Sequence, residues 1–171
     1  MTRRPILLLL AGLLSSAPLA ARASGLQPFE RGSWETLRAA HAGHPTVVHF
    51  WGLTCAPCLA ELPRWGELVR ERPDLHVVLV AADQLADDDA RISATLEKAG
   101  LATVESWGFA DRFAARLRYE IDPRWHGELP RTLLIASDGG TTTFTGVADL
   151  AEVRAWADRQ AGPRSRSGAL R

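Results

Sequence analysis

The chain has 171 residues, 46% of them apolar and 23% charged, which suits one ordinary core and excludes disorder throughout. Its 20 basic and 20 acidic residues cancel, but six of the bases (Arg3, Arg4, Arg22, Arg164, Arg166 and Arg171) sit in end segments that carry no acid. Taking those six from 20 leaves 14 bases against 20 acids over residues 24–162, a net of −6 that argues against nucleic acid as a partner. The two cysteines, Cys55 and Cys58, lie too close together for a multi-disulfide scaffold.

The N-terminus reads as an export signal over residues 1–23. Arg3 and Arg4 form a short basic region, residues 6–14 an apolar run, and Ala21-Arg22-Ala23 a small-x-small cleavage pattern. The alternative is an uncleaved anchor, but Ser15, Ser16 and Pro18 break the run before the roughly 20 residues a span needs. Export predicts a periplasmic, oxidising setting in which a Cys pair can cycle.

Along the mature chain, Ser33 is the expected N-cap of a short helix to about His41, with Trp34 and Leu37 inward. Residues 46–51 (TVVHFW) read as a buried strand. A helix follows over 55–70, with Cys58, Leu62, Trp65 and Val69 inward and Glu61, Arg64, Glu67 and Glu71 on the surface. Residues 75–82 form a second apolar strand, and Asp87-Asp88-Asp89 opens a helix that buries Ile92, Leu96 and Ala99 and ends at Gly100. Those three adjacent carboxylates point in different directions, so they read as a charged helix start rather than a metal site.

Residues 101–107 are a short strand, followed by a helix carrying Phe109, Phe113 and Leu117. Residues 131–136 and 141–145 flank Ser137-Asp138-Gly139-Gly140, a hairpin signal. Asp149 and Glu152 open the last helix, with Leu150, Val153 and Trp156 inward and Gly162-Pro163 as its stop. The domain is therefore placed at 24–162, with a disordered basic tail at 163–171. This order predicts an α/β fold with a mixed central β-sheet and helices on both faces.

Cys55-Ala56-Pro57-Cys58 places two thiols one helical turn apart, able to close a disulfide with little backbone motion. So small a ring restrains little chain entropy, which makes stability a poor reason for it. Cys55 lies at a helix start, where free N–H groups favour the thiolate. Half a zinc site would look the same, but it needs two further ligands. No second Cys pair exists, and His41, His44, His49, His76 and His126 are scattered without ligand spacing.

The stretch from Val47 to Pro63 (VVHFWGLTCAPCLAELP) resembles the active-site strand and helix of the thioredoxin superfamily. More narrowly, it is similar to exported TlpA/ResA-like thiol–disulfide oxidoreductases, whose helix reads C-x-P-C-x-x-E-x-P; Cys55, Pro57, Cys58, Glu61 and Pro63 fill that pattern. The resemblance covers about residues 26–161 in element order and implies a thioredoxin-like fold. It also implies a cis-proline before the final hairpin, where Leu129-Pro130-Arg131-Thr132 fits, and residues 83–129 leave room for the strand and helix this branch inserts. Thr54 replaces the usual Trp before the first Cys, and residues 122–128 (DPRWHGE) are extra length before Pro130.

The resemblance implies a protein-disulfide reductase with catalytic Cys55 and Cys58, supported by Glu61, His49 and Pro130. It needs no cofactor and no metal. Implied partners are disulfide-bearing exported proteins, including those of cytochrome c maturation or metal-centre assembly, and a membrane-bound electron donor; the chain is expected to be a monomer. His49, six residues before Cys55, is either a proton relay or a buried structural residue, and Glu61 either tunes thiol ionisation or is a solvated carboxylate. Leu129 and Trp125, at the expected active-site surface, are candidate substrate contacts; the alternative for Trp125 is packing on Phe113 and Leu117. Trp51 and Trp65 are assigned to the core and Pro63 to helix shape. A thiol oxidase and a thiol-based copper chaperone are the competing functions.

Overall fold

A computed structural model describes residues 25–161, so the expected signal peptide at 1–23 and the tail at 163–171 lie outside the described residues. The elements run β1 (Gln27–Phe29), α1 (Ser33–Ala40), β2 (Thr46–Trp51), α2 (Ala56–Glu71), β3 (His76–Gln84) and α3 (Leu85–Lys98). They continue as β4 (Glu105–Phe109), α4 (Ala114–Ile121), β5 (Arg131–Ile135), β6 (Thr141–Thr145) and α5 (Leu150–Gln160). One sheet holds all six strands in the order β1-β4-β3-β2-β5-β6. The first four are mutually parallel, while β5 runs antiparallel to both β2 and β6, which makes the sheet mixed as expected.

β2 is buried along its whole length, because side chains alternate across a strand and both faces are covered. Val47 and Trp51 join Leu62, Trp65, Ile92, Leu96, Val153 and Trp156 in a core under α2, α3 and α5. Val48 and Phe50 join Trp34, Leu37, Leu117 and Ile121 in a second core under α1 and α4. α2 also runs so close to the end of α3 that a Cβ on Gly66 would lie 2.0 Å from the Ala99 carbonyl oxygen, a spacing only glycine allows.

Several expectations are corrected. Strand β1 has no counterpart among the expected elements, and Gly32 rather than Ser33 occupies the N-cap of α1, at φ +82°. Ser33 instead accepts from the Glu30 N–H through its hydroxyl. α3 starts at Leu85, before the acidic triplet. Phe109 belongs to β4 and not to a helix, and Phe113, expected within the helix, is the N-cap of α4 and stands 45% exposed between Arg112 and Arg116. Asp149 caps α5 as expected, accepting from the Ala151 N–H.

Candidate redox site

β2 ends at Trp51 and the chain turns through Gly52, Leu53 and Thr54 into α2. Cys55 is the N-cap of that helix, and its own N–H donates to the Gly52 carbonyl at 3.1 Å. Cys55 and Cys58 form a disulfide with their Cα atoms 5.2 Å apart. The Cys58 N–H points at Cys55 Sγ, 3.3 Å away, in the place where a cap side chain accepts. The two sulfurs differ in access: Cys58 is fully buried, while Cys55 is half-buried at the surface. A thiolate on Cys55 would face the unpaired N–H groups and positive end of α2, and a reagent from solvent meets that sulfur first.

Behind the pair lies a closed polar group. Glu61, one turn beyond Cys58 on α2, is 2% exposed, which corrects its expected place on the solvent face. Its Oε2 accepts the Ala148 N–H at 3.0 Å, and its Oε1 lies 3.3 Å from His49 Nε2, ion-pair range without hydrogen-bond alignment. His49 is wholly buried on β2; its Nδ1 is 2.9 Å from Thr132 Oγ1 and its ring packs 4.7 Å from that of Trp65. Each of the two buried side chains thus has a hydrogen-bonding partner of its own and an ionisable neighbour, as burial of polar groups requires. Thr132, two residues after the cis-proline, and Ala148, which nothing in its sequence context marks, complete the group.

The Leu129–Pro130 bond is cis, as the resemblance implied, and Pro130 leads directly into β5 beside β2. Leu129 is half-buried, and its Cδ1 lies 3.2 Å from where a Cβ on Gly52 would sit, so it closes on the turn before Cys55. Trp125 is not at that surface. It is 4% exposed, its ring tilted against Phe50 at 4.8 Å and edge-on to Phe109 at 6.5 Å, and its indole N–H donates to the Glu128 carbonyl. Its expected role as a substrate contact is therefore corrected to core packing, and of its two expected neighbours only Leu117 shares that core.

Segment 122–130 is tied down further by Arg131, a 7% exposed guanidinium that pairs with Asp122, donates to Thr145 Oγ1 and lies 5.5 Å over the Trp125 ring. The Arg124 backbone N–H, then the Arg124 and Arg131 guanidiniums, hold the Asp122 carboxyl below the usual carboxylate range against an opposing effect of burial. Trp51 and Trp65 are fully buried as expected. The histidines are less scattered than their spacing suggested: the His76 ring lies 5.8 Å from that of His41 and 5.2 Å from that of His44, and His41 Nε2 meets Glu105 at 3.0 Å. Among the described residues, however, no three ligating side chains are placed to hold a metal ion. Nor, among them, is any helix long and apolar enough to cross a membrane.

No family model matches the sequence. The chain is 31% identical over 85 residues to sporulation thiol-disulfide oxidoreductase A of Bacillus subtilis, a match covering 46% of this chain and 52% of that protein. It thus spans about half the length of the curated relative it matches. Among solved structures, it resembles a secreted Mycobacterium tuberculosis disulfide oxidoreductase at TM-score 0.55 and 21% identity, covering 72% of this chain and 84% of that one. A thiol:disulfide interchange protein of the thioredoxin family from Chlorobium tepidum gives 0.56 and 19%, covering 73% and 85%. StoA from Bacillus subtilis gives 0.51 and 21%, covering 67% and 83%. With a cis-proline at the entry to β5 and a Cys-x-x-Cys pair at the start of α2, these likenesses establish that the chain has the thioredoxin-like fold.

Proposed function

We propose that the chain is an exported thiol–disulfide oxidoreductase that reduces disulfides of exported proteins through the Cys55/Cys58 couple. The observation that carries this reading is the unequal placement of the two sulfurs, one at the helix start within reach of solvent and the other buried behind it. In the reduced protein the Cys55 thiolate attacks one sulfur of a substrate disulfide. A Cys55–substrate bond forms, the substrate S–S bond breaks, and the first substrate sulfur leaves as a thiolate that takes up a proton.

Cys58 then loses its proton and attacks Cys55 Sγ. The internal disulfide of the structure forms and the second substrate sulfur leaves, so the substrate gains two electrons and two protons. A dithiol donor must restore the reduced pair before the next turn, and a membrane-bound donor is our reading for an exported enzyme. The buried Glu61–His49 pair, one turn beyond Cys58 and on the adjoining strand, is suited to accept the Cys58 proton during resolution. Leu129, which precedes the cis-proline Pro130, borders the turn that presents Cys55, where an extended substrate would lie.

The test is turnover of a model protein disulfide by the folded domain with a dithiol donor. Wild type should reduce it and Cys55→Ser should not; turnover in that variant would overturn the mechanism. The direction of electron flow is read by redox equilibration. A potential near thioredoxin's about −270 mV supports a reductase, whereas one near about −120 mV would make the protein an oxidase.

A further inference from the structure

β3 carries a break in its register. Ala81 pairs with Gly108 on β4, and the next pairing is Gln84 with Phe109, which leaves Ala82 and Asp83 as extra residues on one strand. A bulge of this kind re-aims a side chain next to a site. Here the redirected group is Asp83. Its Oδ2 accepts from the Leu53 N–H at 2.7 Å and lies 3.2 Å from where a Cβ on Gly52 would sit, so the carboxylate and Leu129 both close on Gly52.

The Leu53 N–H is separated from Cys55 by no more than about 7 Å of chain. The same turn has a second tie, the Cys55 N–H to the Gly52 carbonyl. Residues 52–57 bring no charge of their own. Of the ionisable groups on the elements around the pair, Glu61 on α2 and His49 on β2 are engaged with each other. Among the described residues, Asp83 from β3 is the charged side chain hydrogen-bonded to the turn that presents Cys55.

We propose that Asp83 is a positioning residue of the redox pair: its hydrogen bond fixes the turn that presents Cys55, and its negative charge opposes the helix N–H groups in setting how readily the Cys55 thiol ionises. The proposal rests on the oxidoreductase reading and deepens it, because a charge that disfavours the thiolate disfavours the reduced, ionised form and so makes the couple more reducing.

Two variants separate the two effects. Asp83→Asn keeps an acceptor for the Leu53 N–H and removes the charge, whereas Asp83→Ala removes both. With the pair reduced, iodoacetamide alkylation of Cys55 should reach its midpoint at lower pH in both variants, the rate below the wild-type midpoint rising about threefold. Turnover of a small disulfide should be about tenfold lower in Asp83→Ala than in Asp83→Asn, through misplacement of the sulfur when the hydrogen bond is lost. An Asp83→Asn alkylation profile that overlays wild type, or equal turnover in the two variants, would overturn the proposal. If Asp83→Ala does not fold, the Asp83→Asn profile alone decides. Alkylation requires no substrate, so a wild type that reduces no disulfide would sink the functional reading while leaving this test intact.

Discussion

Replacing His49 with Leu leaves the Glu61 carboxylate facing a hydrocarbon group where an imidazole nitrogen stood 3.3 Å away. Both groups are at most 2% exposed, so no solvent compensates for the loss. Removing one partner of such a pair costs about 3–5 kcal/mol, because the remaining charge is buried alone. Glu61→Gln is milder. The amide oxygen still accepts the Ala148 N–H, which holds 3.0 Å from Oε2, and the loss should be about 1 kcal/mol.

In the double variant no charge is left to bury. Its destabilisation should therefore fall below the sum of the two singles by about 2 kcal/mol, a coupling in the range measured for residues in direct contact. The assay is urea unfolding of the oxidised proteins at neutral pH, with the midpoints converted to free energies at a common slope. Additivity within about 0.5 kcal/mol would refute the coupling. The two side chains would then be independent core polar groups.

Cys58→Ser should accumulate a mixed disulfide through Cys55, since the attacking sulfur remains and the resolving one is gone; mass spectrometry showing adducts only on Cys55→Ser would reverse the roles. Trp125→Ala should destabilise the domain by about 3–5 kcal/mol and lower turnover of small and protein disulfides alike. A selective loss on protein substrates with an unchanged melting temperature would return the indole to the surface. Asp122, held below the usual carboxylate range, should contribute stability that is complete above the ordinary carboxyl pKa of about 4 and lost as pH falls through its depressed folded value. Unfolding midpoints of Asp122→Asn should thus converge on wild type in acid, and curves that stay parallel from neutral to acid pH would contradict this.

Most of the frame was legible from periodicity and punctuation. Strand β2, helix α2 and the 131–145 hairpin carry runs, caps and turn residues that belong to single elements. Strand β1 carries none of these, being three residues long with Pro28 at its centre, and it exists only because β4 is there to pair with it. Phe109, Phe113 and Leu117 mimic a helical stripe, but the spacing crosses the junction between β4 and α4. The Cys pair was visible because its two members are neighbours. Of the buried group behind it, His49 and Glu61 were visible as candidates, but their partners were not, because Thr132 lies 83 residues from His49 and Ala148 lies 87 from Glu61. Asp83 was hidden for a further reason: a bulge is a mismatch between two strands, and neither strand records it alone.

The full burial of Cys58 also sets a stoichiometry. A thiol or disulfide from outside can reach only the half-buried sulfur of Cys55, so the centre holds one guest at a time. Each mixed disulfide has two exits, resolution from within by Cys58 or displacement by another thiol at the same exposed bond. A state with both sulfurs capped by separate guests would require α2 to part from β2, because Cys58 shares its core with Trp51 and Leu62. Small-molecule thiols can therefore slow this centre by competing for one position, but they cannot lock it open.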